Sequence, residues 1–300
     1  MPEYPDITVY IERIRHFIVQ QPLQRIRFGN PFLLRTAEPP ITAINGRILQ
    51  DVERIGKRIV FVFPEDYFLV LHLMVSGRLQ WEKSGVKIPA KRGMAAFDFE
   101  NGSLLLTEAS TKKRASLHLV QGRNALADFD RGGLEVFDIS LPEFSDAITA
   151  ENHTLKRTLT DPRILSGIGN AYSDEILHRA KLSPILQTKN MSDEQIKQLH
   201  EAVLAILSEW TDRLRGETGD GFPKKVTAFH KEMAVHGKYE QPCPVCGVKV
   251  QRIRYASNET NYCPECQTSG KILADRALSR LLKKDWPRTI EGLEELKKGS

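Results

Sequence analysis

The chain is poor in cysteine and has no long apolar segment. Only four of its 300 residues are Cys, and all of them lie between residues 243 and 266. Because the four cysteines lie so close together in the sequence, they cannot form a disulfide framework across the chain, and they favour a metal site. No apolar run approaches the ~20 residues that a membrane-spanning helix requires, and no hydrophobic signal segment follows the N-terminus. We therefore expect an intracellular, cytoplasmic protein with no membrane partner.

Neither sign of charge is in large excess. Hydrophobic residues make up 41% and charged residues 27% of the chain, as in ordinary globular proteins. The net charge of +5 and the isoelectric point of about 8.9 permit a polyanionic partner but do not require one. The length suits two modest domains, or one domain with a small module.

The first 120 residues predict one helix followed by a series of strands. Apolar side chains recur at helical spacing in residues 5–20, and Gln21-Pro22 ends that pattern. The clearest hairpin lies at residues 97–104, where Asn101-Gly102 suits a type I′ turn. Several short strands separated by turn signals favour a β-sandwich or barrel. The other strand segments are residues 48–53, 57–63, 67–74 and 77–81, and residues 84–93 predict an exposed basic loop.

Helical periodicity replaces the strand pattern after a polar connector at residues 121–142, where we place a domain boundary. Ser192 to Gln195 forms a capping box that begins a helix, and Gly216 is expected to end it. Strands followed by helices indicate the α+β class. A last amphipathic helix is predicted around Leu278, Leu281 and Leu282.

The four cysteines form two C-x-x-C pairs with sixteen residues between them. Four thiolates suit one tetrahedral Zn²⁺ and leave no position for water, so the predicted zinc is structural. Apolar and basic residues alternate over 248–254, which predicts a β-ribbon with its tip at 257–261. Its basic side chains favour nucleic-acid binding, and the alternative is a ribbon that serves only as a staple or a protein contact. The predicted zinc ligands are Cys243, Cys246, Cys263 and Cys266.

Residues 165–172, LSGIGNAY, contain two glycines separated by one residue. This pattern is typical of a tight turn between helices, and Asn170 is a suitable N-cap for a helix over 171–180. Backbone N–H groups at such a helix start can hold a phosphate. The glycines can also serve only to turn the chain, and a generic helix-hairpin-helix DNA binder would have the same pattern.

The chain begins Met1-Pro2-Glu3. Removal of Met1 leaves Pro2 with a free secondary amine, and α-amino groups titrate near ~7.7–8. Because a helix start carries partial positive charge, the amine is expected to stay neutral and nucleophilic. Its attack on an aldehyde-like carbon gives an iminium, which is an electron sink for elimination, and Glu3 could shuttle protons. The alternative is a disordered start with an incidental proline.

Basic residues recur on the predicted β segments. Charged residues on strands usually form a solvated face, whereas a phosphate-bearing partner would use them for neutralisation. The three groups are Lys57-Arg58, Lys91-Arg92 and Lys112-Lys113-Arg114.

Four motifs, in this order, resemble those of the formamidopyrimidine-DNA glycosylase and endonuclease VIII family. They are the N-terminal Pro-Glu, the β-rich segment with a Lys, the Gly-x-Gly-Asn hairpin and the four-Cys ribbon, and together they cover residues 2–268. The resemblance implies a β-sandwich with a flanking helix, a helix–two-turn–helix domain and a zinc finger, with DNA held in a cleft between them. The implied bounds are 2–130 for the sandwich, 143–216 for the helical domain, 240–270 for the zinc finger and 271–300 for a C-terminal helical extension.

The resemblance also implies roles for individual residues. Pro2 would be the Schiff-base nucleophile at C1′ of the damaged nucleotide, Glu3 its acid–base partner and Lys57 the family's essential lysine. Asn170 matches a phosphate-binding asparagine, and Glu175 falls on a family position. The predicted DNA-contact residues are His72, Val75, Arg92, Lys112, Arg114, Lys156, Asn170 and Asn258.

The chain departs from the family pattern at several of these positions. Asp6 stands where the family usually has Glu, and Asn258 replaces an arginine that grips phosphate and assists a second elimination. Residues 217–240 look shorter than the family's lesion-sensing loop, and the segment after residue 268 has no family counterpart. The three residues that wedge into DNA, Met, Arg and Phe in the family, are here Val75, Lys112 and Arg114.

The resulting hypothesis is a base-excision-repair DNA glycosylase with AP-lyase activity, mainly by β-elimination, on oxidised or abasic DNA. We expect a monomer that binds damaged duplex or abasic DNA, associated with the nucleoid if the source is bacterial. One alternative is a DNA-binding protein with absent or attenuated catalysis that recognises abasic or distorted DNA. The other is a zinc-ribbon protein–protein adaptor.

Overall fold

The structure is a computed structural model that describes residues 1–224, 226, 229–255, 258–274 and 287–298. The helix predicted around Leu278 and the predicted ribbon-tip residue Ser257 lie outside the described residues. The chain divides into two compact units, Met1–Gly133 with Ser208–Thr227, and Leu134–Leu207 with Ala228–Ser300. Among the described residues, no helix combines the length and the apolar character that crossing a bilayer requires.

The N-terminal unit begins with the predicted helix, α1, at Tyr4–Ile18. Glu3 is its N-cap: the Glu3 carboxylate accepts the backbone N–H of Asp6, and the Asp6 carboxylate accepts the backbone N–H of Glu3 at 2.8 Å. Acidic groups at a helix start are stabilised by the helix dipole. The apolar stripe of α1 is buried, as its spacing predicts, so this helix packs on the sheets and fixes the start of the chain.

Eight strands of this unit form two antiparallel sheets. They are β1 Arg25–Phe28, β2 Asp51–Ile55, β3 Arg58–Phe63, β4 Tyr67–His72, β5 Gly77–Glu82, β6 Gly93–Phe99, β7 Gly102–Glu108 and β8 Ser116–Gln121. The sheet orders are β1-β6-β7-β5 and β2-β3-β4-β8. Phe61 of one sheet stacks on Phe97 of the other, with ring centroids 5.9 Å apart, inside a shared core. The predicted β-sandwich is confirmed.

The β6–β7 hairpin forms as predicted, but its predicted type I′ turn is wrong. Phe99 pairs with Gly102, so the loop residues are Glu100 and Asn101, and neither has positive φ. A type I′ turn requires positive φ at both. Gly102 is needed for another reason, because a Cβ there would lie 2.3 Å from Cζ2 of Trp81. The glycine makes room for the indole ring on the neighbouring strand.

The long helix α5, Asp193–Thr218, begins with the predicted capping box. Its predicted end at Gly216 is wrong: the helix continues to Thr218, and Gly219, with φ +53°, takes the left-handed position that follows a helix. In the N-terminal unit, Arg215 forms an ion pair with Glu12 at 2.6 Å. Phe222, after the helix, lies 5.8 Å from the Tyr10 ring and joins the sandwich core. The segment after α5 is therefore anchored against α1.

The second unit carries the helical hairpin and the ribbon. The helices among its described residues are α2 Leu141–Thr149, α3 Leu155–Thr160, α4 Asn170–Arg179, the first turns of α5, α6 Pro264–Thr268 and α7 Ile290–Lys298. The antiparallel strands β9 Gln251–Tyr255 and β10 Asn258–Tyr262 form the predicted ribbon. Residues 258–261 belong to β10, so the prediction that they project from the tip is wrong.

Candidate nucleic-acid interface and metal centre

The start of the chain is buried in the N-terminal unit. Pro2 is buried and Glu3 is 1% exposed. The α-amine in the structure is that of Met1, and burial lowers its pKa; the charges of Arg78 and Lys57 act in the same direction, while Glu3 and Asp6 oppose them. An amine held at this place is therefore biased toward its neutral, nucleophilic form.

Asp6 is a titratable group whose burial the sequence did not reveal. Its side chain is buried, and burial raises its pKa to about 7, while the hydrogen bond from the Glu3 backbone opposes the shift. A carboxyl group with a pKa near neutrality can both give and take a proton at physiological pH. It lies one helical turn from Glu3, so the two acids form one cluster at the chain start.

Lys57 and His72 lie in the same electrostatic environment as the chain start. Lys57 follows Gly56, whose φ of +58° forms the turn between β2 and β3. The pKa of His72 falls to about 4, mainly through burial and then through the charges of Arg58 and Lys57. A neutral imidazole beside two cations can hydrogen-bond a phosphate without adding a third charge.

The predicted wedge residues lie on two exposed loops of the same unit. Val75 is 57% exposed in the turn between β4 and β5. Lys112 and Arg114 are exposed on the loop between β7 and β8. Arg92, also exposed, ends the loop before β6, and the predicted exposure of that loop is confirmed. The structure thus places these four of the eight predicted contact residues on loops, where sequence pattern alone does not fix geometry.

Two cavities lie beside these groups in the N-terminal unit. One, of about 310 Å³, is lined by three cations, Arg78, Arg92 and Lys224, with Ser76 and Thr107. The other, of about 510 Å³, is lined by residues that include Asp6, Val9, Glu217 and Phe222. Lys224 and Val226 contribute to both, so the segment after α5 forms a wall of each cavity.

In the second unit, Asn170 is the first residue of α4 and not its N-cap, which is Gly169. The predicted capping role is therefore wrong. The Asn170 amide instead donates to the backbone oxygen of Glu259 on β10 at 2.9 Å. The start of the helical hairpin is thereby joined to the ribbon, and the backbone N–H groups of the α4 start remain those of an ordinary helix N-terminus.

Lys156 is largely buried beneath the start of α4. Its ammonium donates to the Asn170 carbonyl at 2.7 Å, to the Ser173 hydroxyl at 2.8 Å and to the Asp174 carboxylate. Only 14% of its side chain is exposed. The structure therefore gives Lys156 three partners within the protein, and these tie α3 to α4.

Two adjacent acids of α4 connect the hairpin to the rest of the second unit. Asp174, fully buried, accepts from His236 at 2.8 Å and from the backbone N–H of Asn261 at 3.1 Å. Glu175 accepts the backbone N–H groups of residues 234, 235 and 236 at 2.7–2.9 Å. Sequence reasoning placed Glu175 on a family position and missed Asp174, because acids inside an amphipathic helix resemble a solvated face.

The four cysteine sulfurs lie within 4.8 Å of one another. Cys246 and Cys263 sulfurs are 3.4 Å apart, and those of Cys243 and Cys266 are 3.9 Å apart. Four thiolates at ~2.3 Å from a tetrahedral zinc are separated by ~3.8 Å, so the cluster fits the metal. His178 Nε2 lies 3.3 Å from the Cys243 sulfur, where a metal-bound thiolate accepts a hydrogen bond. One structural zinc holds the ribbon, and its four positions are filled by sulfur.

Much of the ribbon's positive charge is already paired. Arg252 and Arg254 lie 3.2 and 3.4 Å from the Glu259 carboxylate, and Arg252 also covers the Tyr239 ring. Asn258 begins β10. The predicted nucleic-acid role of the ribbon stays a prediction.

Three family descriptions match the chain. Residues 1–116 match the formamidopyrimidine-DNA glycosylase N-terminal domain, residues 135–218 its H2TH domain, and residues 240–268 the zinc finger found in FPG and IleRS. The chain is 40% identical over 151 residues to an uncharacterized formamidopyrimidine-DNA glycosylase-like protein of Mycobacterium tuberculosis. The aligned region covers 50% of this chain and 94% of that protein. It is 29% identical over 290 residues to the formamidopyrimidine-DNA glycosylase of Thermus thermophilus, covering 90% of this chain and all of the relative.

Solved structures share the fold. A complex between the Lactococcus lactis Fpg and abasic-site DNA superposes with a TM-score of 0.78 at 23% identity, covering 89% of this chain and 99% of that one. An inhibited Fpg of the same kind, in complex with DNA that contains an N7-benzyl-Fapy-dG, gives a TM-score of 0.79 at 25% identity, with 89% and 100% coverage.

Proposed function

The chain belongs to the formamidopyrimidine-DNA glycosylase and endonuclease VIII family of base-excision-repair glycosylases, and from that membership we propose that it is bifunctional, removing a damaged base and cleaving the strand as an AP lyase. The observation that carries the proposal is the buried chain start, where burial and two nearby cations lower the pKa of the α-amine. A lowered pKa favours the neutral, nucleophilic form of an amine held at this place. The Lactococcus lactis relative, solved with abasic-site DNA, supports DNA as the partner.

The proposed reaction begins after removal of Met1. The Pro2 nitrogen attacks C1′ of the flipped nucleotide, the N–C1′ bond forms, and the bond from C1′ to the base breaks with protonation of the leaving base. Ring opening gives an iminium, which acidifies the C2′ proton. Loss of that proton and of the 3′ phosphate is the β-elimination, and water then releases the enzyme. Glu3 and Asp6 are the groups placed to move these protons.

We propose that the positioning groups divide between the two units. Lys57 and His72 hold a phosphate near the chain start, and the start of α4 at Asn170 holds another. Lys156 supports that helix start through its bond to the Asn170 carbonyl. Zinc holds the ribbon and takes no part in the bond changes. β-elimination dominates because Asn258 lacks the charge of an arginine and the ribbon arginines are paired with Glu259.

Strand cleavage of abasic duplex DNA tests this proposal. Wild type is expected to leave mainly the β-elimination product, and Pro2→Gly and a chain with an uncleaved N-terminal tag are expected to lose cleavage. Pro5→Ala is the matched control, because it changes a proline at the same helix start and leaves the terminus intact. Equal cleavage by the tagged chain would refute the role of Pro2, and a product phosphorylated at both ends of the gap would refute the dominance of β-elimination.

A second candidate is a protein that binds abasic or distorted DNA without excising a base. This candidate is favoured by the residues that differ from the family pattern, which are Val75 and Arg114 at the wedge positions and Asn258 in place of an arginine. It predicts salt-dependent binding to abasic duplex without cleavage by any preparation with a free Pro2 terminus. Cleavage that Pro2→Gly abolishes excludes it.

A further inference from the structure

One buried residue of the N-terminal unit, Glu108, contacts three separate loops, two through its carboxylate and one through its backbone N–H. Glu108 is the last residue of β7 and is 1% exposed. Its backbone N–H donates to the carbonyl oxygen of Arg92 at 2.7 Å. Its carboxylate accepts the backbone N–H groups of Arg114 at 2.9 Å and Ala115 at 3.1 Å. The loops that end at Arg92 and at Arg114 are therefore fixed to the same residue.

The third loop is the turn that carries Val75. The hydroxyl of Ser76 donates to Glu108 Oε1 at 3.3 Å and accepts the backbone N–H of Ser110 at 3.3 Å. The turn has little freedom elsewhere, because Met74 has φ +53° and a Cβ at Gly77 would lie 2.3 Å from the Leu73 oxygen. The backbone of the turn that carries Val75 is thus held next to the loop that carries Arg114.

We propose that Glu108 is a positioning residue that holds Val75, Arg92 and Arg114 as one rigid surface for opening the duplex at a lesion. This inference rests on the proposed function. Side chains that insert between bases must prevent the bases from restacking, so the loops that carry these side chains need to be rigid. Val75 is shorter than the methionine of the family, so it depends more on being held in place. Glu108 acts through the loops, and in this account it does not touch DNA.

The hydrogen-bond chemistry explains why an acid occupies this position. The Glu108 carboxylate oxygens accept hydrogen bonds from two backbone N–H groups and one hydroxyl. Methionine has nearly the same shape but leaves those donors buried without a partner. Glutamine keeps one oxygen for the two backbone groups, and the Ser76 hydroxyl can rotate to accept from its NH₂. Glu108→Met should therefore release the Val75 and Arg114 loops, while the backbone bond to Arg92 remains, and Glu108→Gln should largely retain all three.

The test compares cleavage at the same lesion in duplex and in single-stranded DNA. A single strand has no complementary strand, so the enzyme does not have to separate base pairs there. Glu108→Met is expected to lower the ratio of duplex to single-strand cleavage at least about tenfold, and Glu108→Gln by less than about threefold. Ser76→Ala, which cuts only the link to the Val75 turn, should lower it several-fold. Asp98→Asn is the matched control: it neutralises a buried acid of the same sheet, paired with Arg27, and should leave the ratio unchanged.

Fluorescence of 2-aminopurine placed opposite the lesion measures opening without chemistry. A loss of this signal in Glu108→Met and Ser76→Ala, with single-strand cleavage retained, supports the proposal. A ratio within twofold of wild type in both variants, or an equal fall in Asp98→Asn, overturns it. If Glu108→Met does not fold, Ser76→Ala decides. If wild type cleaves neither substrate, the proposed function fails, and the fluorescence comparison still tests Glu108.

Discussion

Neutralising Asp174 should destabilise the second unit more than any other single change among its described polar groups. Asp174 is fully buried and accepts hydrogen bonds from Lys156, His236 and Asn261. Removing one partner of a buried ion pair leaves an uncompensated charge and costs about 3–5 kcal/mol. Asp174→Asn keeps the volume but directs an NH₂ group at existing donors, so we expect a loss within that range.

A double-mutant cycle isolates the contribution of the ion pair. Lys156→Met removes the cation, and the double variant Asp174→Asn, Lys156→Met removes both charges. Because the two side chains share one hydrogen bond, the double variant should be about 1–3 kcal/mol more stable than the sum of the single effects. Urea unfolding of the zinc-loaded protein, followed by far-UV circular dichroism, measures all four states.

The same cycle decides what Lys156 does. If its ammonium is committed to Asp174, Lys156→Met leaves the salt dependence of DNA binding unchanged. If it contacts a phosphate, the slope of log K against log salt falls by ~0.9. If the two single effects on stability simply add, and Lys156→Met also reduces the salt dependence of DNA binding, then Lys156 contacts DNA and the proposed ion pair with Asp174 is refuted.

Three further predictions concern other parts of the chain. The raised pKa of Asp6 favours its protonated form in the folded state, so its contribution to stability is complete below pH ~4 and is lost as pH rises through about 7. Relative to Asp6→Asn, the free energy of unfolding of the wild type should fall by up to about 4 kcal/mol over that pH window. Parallel plots of unfolding free energy against pH for the two proteins would contradict this. Gly102→Ala should destabilise by about 1–3 kcal/mol through the clash with Trp81, whereas Gly216→Ala, in an open helical site, should stabilise by about 1 kcal/mol. Equal effects in thermal melts would refute the packing argument. Chelation of zinc should expose the amides of β9 and β10 to hydrogen exchange while those of β3 and β4 stay protected, and a protected ribbon without metal would contradict a structural zinc.

Features set by local pattern were predictable from the sequence, and features set by distant contacts were not. The α1 stripe, the strand hairpins and the C-x-x-C pairs depend on spacing within a few residues, and the structure contains all three. The type I′ prediction failed because Gly102 is required by packing against Trp81, 21 residues earlier in the chain, and the turn rule would also place a glycine there. The Asn170 cap failed because α4 begins at Asn170 itself, after Gly169, and the Asn170 amide donates to the distant strand β10.

The buried acids show the same limit. In the sequence, Asp6, Glu108 and Asp174 look like members of solvated faces, because nothing near them in the chain predicts burial. In the structure each is at most 5% exposed, and each organises groups around the candidate sites. Donors from residues far along the chain, such as Asn261 for Asp174, create these environments. Only the fold brings such partners together.

Mapping the covalent adduct tests the central claim most directly. Wild-type protein with a free Pro2 terminus is reduced with borohydride on abasic duplex DNA, digested and analysed by tandem mass spectrometry. We expect a deoxyribose-derived mass on the Pro2 nitrogen of the N-terminal peptide. An adduct on the Lys57 side chain, or no adduct from a preparation that cleaves the same DNA, would contradict it.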